Sequence, residues 1–277
     1  ESSKRCWTTL SLAMIRIQSS ALPVPFVPLL FALLAAVVLS SHPRPAAAQT
    51  PPRILVELEA GPVWQSRNEV QIPNDASGTR FSLEGVTGSG PWPAGRLYVT
   101  WRLNPRHSLR VLLAPLSITE TGPIPGEVRF AGEAFRPDEP VEATYRFNSW
   151  RLGYHYRFLD REELSLWAGF TAKLRDAKVE LRQEGTVARD TDLGFVPLLF
   201  LAADQRLAPD WHLLFDFNGL AGGPGRAFDA ALKLAYDVGD RWAVTAGYRT
   251  LEGGADVDSV YSFAWLHYGV VSARFRW

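Results

Sequence analysis

The sequence predicts an all-β chain closed into an antiparallel transmembrane β-barrel of ten strands, with eight or twelve as the alternatives. Three observations predict it. Segments of about 9–12 residues alternate apolar and polar side chains with period two, a length that crosses a bilayer at a tilt, whereas soluble strands average ~5–6 residues. Aromatic residues (Trp101, Tyr156, Phe158, Trp211, Tyr236, Trp242, Trp277) sit at strand ends that border short turns, where rings with a polar edge favour a membrane interface. Short polar turns alternate with longer links, the arrangement of barrels with short turns on one side of the membrane and long loops on the other.

In order, the strands are read at 53–65, 95–104, 107–118, 143–158, 163–175, 194–207, 211–220, 226–237, 242–251 and 261–277. The cleanest is the eighth, where Phe228, Ala230, Leu232, Leu234 and Tyr236 share one face and Asp229, Lys233 and Asp237 the other. The same alternation sets Leu97, Val99, Trp101 and Leu103 against Thr100, Arg102 and Asn104. It also sets Trp150, Leu152, Tyr154, Tyr156 and Phe158 against Arg151, Gly153, His155 and Arg157. Short turns fall at Asn104–Arg106, Leu159–Glu163, Ala208–Asp210 and Val238–Arg241; the links between them are 66–94, 119–140, 176–193, 221–225 and 252–260. The strand at 194–207 is the weakest, because its polarity does not split and Pro197 lacks a donor. A further strand at 79–86 would change the count. In lipid an open sheet edge is not tolerated, so the sheet must close.

The 277 residues are 12% aromatic and carry 29 basic and 29 acidic side chains. Disorder is excluded by the aromatic content, and the lack of net charge gives no reason to expect nucleic acid as a partner. Cys6 is the only cysteine, which excludes a disulfide scaffold and a cysteine zinc site. Residues 1–13 read as upstream translation before Met14. From there Arg16, the apolar run Leu22–Leu39 and the small-residue exit Ala46-Ala47-Ala48 form a cleavable secretory signal peptide, with Pro23, Pro25 and Pro28 against a spanning helix. Cleavage after Ala48 leaves a barrel at 49–277 with 25 basic and 28 acidic side chains.

If the apolar faces meet lipid, the opposite parity lines the lumen. That set is Glu57, Glu59, Arg102, Arg110, Arg151, His155, Arg157, Lys173, Arg175, His212, Asp216, Asp229, Lys233, Arg249, Arg274 and Arg276. Ten are Lys or Arg and four are carboxylates, so basic residues are sorted inward. Such a lumen passes or binds small anionic solutes, in a porin-like role. Alternatively it is filled by its own salt bridges, in a structural role. On this facing, Leu232→Arg is expected to cost ~2–4 kcal/mol and Lys233→Leu less.

No cofactor, metal site or catalytic residue is expected. Loop 252–258 gathers Glu252, Asp256 and Asp258 without a calcium-loop spacing, and 221–225 has the glycines of a phosphate loop without its Lys and Ser/Thr. A barrel protease would need its Asp and His groups at the outer rim, whereas His212 lies near the short-turn end and shares its strand with Asp216. A lipid A acyl hydrolase or acyl transferase, the alternative function, needs Ser and His together. The best available pair, Ser262 and His267, has opposite parity, and no G-x-S-x-G is present.

The final strand, Tyr261-Ser-Phe-Ala-Trp-Leu-His-Tyr-Gly-Val-Val-Ser-Ala-Arg-Phe-Arg-Trp277, alternates and ends in an aromatic residue. In this it resembles the C-terminal signal of outer-membrane barrels. Over 49–277 the chain resembles the small bacterial outer-membrane β-barrels, among them the barrels of outer-membrane proteins A and W. The resemblance implies a place in the outer membrane of a Gram-negative-type bacterium, outer-membrane lipids as surroundings, and recognition by the barrel-assembly machinery through the strand ending in Trp277. It transfers no functional residue.

Overall fold

The computed structural model describes residues 53–277; the expected leader and its cleavage point lie outside them. The elements are β1 (Ile54–Gln71), β2 (Phe81–Ser82), α1 (Leu83–Thr87), β3 (Trp92–Arg102), β4 (His107–Ala114), β5 (Ser117–Gly122), β6 (Val128–Phe130), β7 (Glu133–Phe135), β8 (Val141–Asp160), β9 (Leu164–Gln183), β10 (Thr186–Ala208), β11 (Trp211–Gly222), β12 (Gly225–Val238), β13 (Trp242–Val257) and β14 (Val260–Arg276). Ten staves pair antiparallel in chain order, and β14 returns to β1 from Leu55↔Arg276 to Gln71↔Tyr261, so the barrel is closed. One stave is made of β4 and β5 end to end, both paired with β8. The break between them holds Pro115, which has no N–H for the ladder, and the Leu116 N–H beyond it donates to the Asn148 side chain at 3.1 Å.

The facing is as the alternation requires. Leu58, Phe170 and Val271 are 60–67% exposed on the outer wall, and Leu232 points out beside an inward, buried Lys233. Among the described residues no helix is long and apolar enough to cross a membrane.

Several strands outrun the sequence expectation at the long-loop end. The link expected at 176–193 is a continuous hairpin of β9 and β10, closed by Glu184 and Gly185 with φ of 45° and 92°, the positive pair that a two-residue hairpin turn takes. Here Lys178 and Arg182 turn outward while Val179 and Leu181 are buried inside. The alternation persists with its polarity inverted, because this end of the wall faces water. Likewise β13 and β14 continue through 252–260 to a turn at Asp258 and Ser259. The segment 194–207, expected to be the weakest strand, lies within the longest, the 23-residue β10. Both its faces are apolar for a reason: Phe195 and Leu199 point out, whereas Leu198 and Phe200 are buried inside.

The links 66–94 and 119–140 form a cap. No stave runs through 79–86; Phe81–Ser82 pairs briefly with β1, and the Ser82 hydroxyl then caps α1 by accepting the Gly85 N–H at 3.1 Å. The two links join through Thr79 N–H to Arg129 O and Ala131 N–H to Ile72 O, both 2.8 Å. They bury Phe81, Leu83, Phe130 and Phe135 in one dry cluster with Leu181, Leu266 and Tyr268 of the wall. The interior therefore has two storeys, apolar at the long-loop end and ionic below. Parity assigned side chains to the lumen but did not reveal this apolar storey, which exists because the cap excludes water and gives inward apolar side chains something to pack against.

Candidate functional site

The ionic storey is built by parity. Glu57 and Glu59 on β1, Arg96 and Tyr98 on β3, Arg151 on β8, Asp229 and Lys233 on β12 and Arg249 on β13 all point inward and are buried. Asp229 and Glu59 are its centres. Asp229 receives Arg249 Nη1 at 2.6 Å, Arg151 Nη2 at 2.6 Å and Arg96 Nη1 at 3.0 Å. Glu59 receives Lys233 Nζ at 2.9 Å and Arg249 Nε at 3.1 Å, and the Tyr98 hydroxyl donates to it at 3.4 Å. Glu57 pairs with Lys233, accepts from the Ser272 hydroxyl at 2.7 Å and lies 3.5 Å from Arg274 Nε. Charges taken out of water are costly unless each is paired and hydrogen-bonded, and here each carboxylate has at least two cations.

The five cations of this group (Arg96, Arg151, Lys233, Arg249, Arg274) outnumber its three carboxylates. Aromatic faces take part of the surplus. Arg96 lies 5.1 Å from the Tyr268 ring centre, and Lys233 and Arg249 lie 5.8 and 5.9 Å from that of Tyr98, within reach of the ring quadrupole. Lys173 is buried without a carboxylate partner among the described residues, its ammonium 4.6 Å from the Phe147 ring centre.

Other lumen residues read from the sequence lie inside but outside this group. Arg110 reaches Asp216 at 2.6 Å, Arg157 pairs with Asp160 at 2.9 Å and Arg276 with Asp237 at 2.7 Å. Arg175 pairs with Asp192 across the β9–β10 hairpin. Arg102 has no carboxylate within ion-pair distance among the described residues; Arg157, Arg276 and Arg274 surround it, with Asp160 the one carboxylate charge near them. His212 holds Asp204 at 2.7 Å, and His155 stacks on Phe200 with ring centres 3.5 Å apart. Two voids between these side chains measure about 20 and 10 Å³; a single water needs about 10–15 Å³. The carboxylates of loop 252–258 are not gathered: Glu252 pairs with Arg226, and Asp256 accepts from Asn74.

Sequence reasoning missed Arg96, although one more step of the period-two count back from Tyr98 reaches it. It also missed a polar chain on the outer wall. The Ser66 Oγ lies 2.8 Å from His267 Nε2, and His267 Nδ1 lies 2.5 Å from the Tyr248 hydroxyl. The partner of His267 is thus Ser66, 201 positions away, and not the nearby Ser262. No periodicity reports such a pair; only the closing of β14 on β1 makes it.

No protein-family model and no curated protein sequence matches the chain. Among solved structures it is similar to the outer membrane protease OmpT from Escherichia coli, with a TM-score of 0.54 at 10% identity over 84% of this chain and 99% of that one. It also aligns with the translocator domain of the autotransporter NalP from Neisseria meningitidis (TM-score 0.40, 14% identity, 90% and 95% covered). The same holds for Ail, the attachment invasion locus protein of Yersinia pestis (TM-score 0.35, 12% identity, 81% and 99% covered). At such identities the likeness to OmpT speaks for the fold alone. A closed wall of ten staves, a belt of outward apolar side chains and that likeness give this chain the fold of a bacterial outer-membrane β-barrel.

Proposed function

We propose that the protein is a sealed, structural barrel of the outer membrane, whose lumen passes no solute. The observation that carries this reading is the bonding of Asp229 to Arg96, Arg151 and Arg249, drawn from three other staves across the interior. A narrow barrel is filled by its side chains rather than bored by a channel. Here the filling is ionic in the lower storey and apolar under the cap, so a moving ion would meet both a charge network and a dry layer. Reconstituted in planar bilayers, the protein is expected to give no steady conductance above the lipid baseline. A reproducible anion-favouring conductance would overturn the sealed reading and restore the porin-like one.

The surplus of cations supports a second, narrower reading: binding, without passage, of a small anion at the short-turn end. Arg102 has no carboxylate within ion-pair distance there among the described residues and stands among Arg157, Arg274 and Arg276, with Asp160, the partner of Arg157, as the one carboxylate near them. Calorimetric titration with inorganic phosphate should show one saturable site that Arg102→Ala removes; heats identical in the two proteins would exclude it.

A further inference from the structure

Ser66 is the extra residue of a β-bulge. Gln65 pairs with Leu266 and Arg67 with Trp265, so Ser66 has no opposite number on β14. Ser66 keeps the outward facing of Leu58 and Trp64, the bulge shifts the inward face to Asn68 and Val70 beyond it, and the Ser66 hydroxyl meets the imidazole of His267. The order of contacts fits one tautomer: Nδ1–H donates to the Tyr248 oxygen, leaving the Nε2 lone pair to accept from the Ser66 hydroxyl. A hydroxyl bonded to a base, itself oriented by a third group, is the arrangement of an activated nucleophile.

The surroundings say what it would meet. Ser66 stands twelve residues along β1 from Ile54, which at ~3.3 Å per residue and a tilt of ~40° is roughly 30 Å up the wall. An apolar band is about 25 Å tall, so Ser66 sits at its far edge, the depth of the ester linkages between acyl chains and headgroups. Trp64 and Trp265 are exposed on the same wall, the ring of Trp265 centred 5.3 Å from that of His267. Aromatic side chains of this kind hold an interface position.

We propose that Ser66 and His267 are the catalytic residues of a hydrolase acting on ester-linked acyl chains of lipids in the facing leaflet, with Tyr248 as a positioning residue. The Ser66 Oγ attacks the ester carbonyl while its proton passes to His267 Nε2. The tetrahedral intermediate collapses by breaking the carbonyl–alkoxide bond, and Nε2 returns the proton to the departing alcohol. Water then attacks the acyl-Ser66 ester with His267 again as base, releasing a fatty acid and restoring the hydroxyl. The site lies outside the lumen and works whether or not the lumen is sealed.

The full chain, shown to be folded by its heat-modifiable gel mobility, is incubated in mixed micelles with diacyl phosphatidylethanolamine in one arm and lipid A in the other. Mass spectrometry is expected to detect free fatty acid in at least one arm, which identifies the source of the ester. A fluorophosphonate probe is expected to label the peptide containing Ser66. Ser66→Ala and His267→Gln should each lower release about 100-fold or more, and Tyr248→Phe should move the pH profile of release to lower pH by weakening support for the imidazolium. Absence of both fatty acid and adduct with the folded wild-type protein overturns the proposal, as does release that Ser66→Ala leaves unchanged. An unshifted profile in Tyr248→Phe removes Tyr248 from it.

Discussion

Asp229 and Arg249 face each other from adjacent staves inside the barrel, Oδ1 to Nη1 2.6 Å, each with under 3% of its surface exposed. Arg249 also bonds Glu59, and Asp229 also bonds Arg96 and Arg151, so the pair ties β1, β3 and β8 to β12 and β13. Removing one partner of a buried pair strands the other and costs ~3–5 kcal/mol. Asp229→Ala strands three guanidinium groups at once and is expected to lie at or above the top of that range. Urea unfolding in phospholipid vesicles measures it; a loss under ~1 kcal/mol would mean that water, not Asp229, satisfies the arginines.

Leu232 and Lys233 test the two faces of one stave. Leu232→Arg places a charge in the lipid belt and is expected to cost ~2–4 kcal/mol. The sequence-based expectation that Lys233→Leu costs less does not survive the structure. Lys233 is the shared cation of Glu57 and Glu59, so its loss leaves Glu57 with Arg274 and weakens both carboxylates, at ~3–5 kcal/mol. The double change Lys233→Leu with Glu57→Gln should recover part of that cost, whereas Leu232→Arg with Glu57→Gln should not.

What could be read without coordinates follows from where lipid imposes a rule. Between the girdles a stave such as 226–237 must show apolar side chains outward, and β12 is there at Gly225–Val238. Above the belt the rule lapses. Residues 176–193 still alternate, but with charge outward, and so resemble a loop. Phe130 and Phe135 carry no period because they belong to a two-strand hairpin packed on the interior side. The lumen residues were legible one at a time by parity, yet which cation meets which carboxylate depends on the curvature of the closed sheet. The side of Ser66 follows from the count through Leu58 and Trp64, but its meeting with His267, 201 positions away, depends on the closing of β14 on β1 and was not legible.

The cap should be separable from the wall. Phe130 is fully buried and meets Phe81 edge-on at 6.1 Å, but the β6–β7 hairpin pairs only with itself. Phe130→Ala removes a contact of the kind that is worth ~3–5 kcal/mol in a core, and a locally opening unit absorbs that loss without global unfolding. Trypsin should then cut after Arg129 faster than in the wild type, while the heat-modifiable gel mobility of the barrel is unchanged. Loss of both together would show that cap and wall unfold as one.

His155 depends on a missing side chain. A Cβ on Gly153 would come within 2.7 Å of His155 Nε2, and the imidazole is buried against Phe200 with the rings nearly parallel at 10°. It has little room to give way, because the void beside it is only about 20 Å³. Overpacking of this kind costs ~1–3 kcal/mol. Gly153→Ala is therefore expected to destabilise the barrel by that amount alone, and by much less in a His155→Ala background, where the colliding ring is gone. Urea midpoints of the four proteins form a double-mutant cycle. Additive losses would show that Gly153 matters for the backbone of β8 and not for the space it leaves to His155.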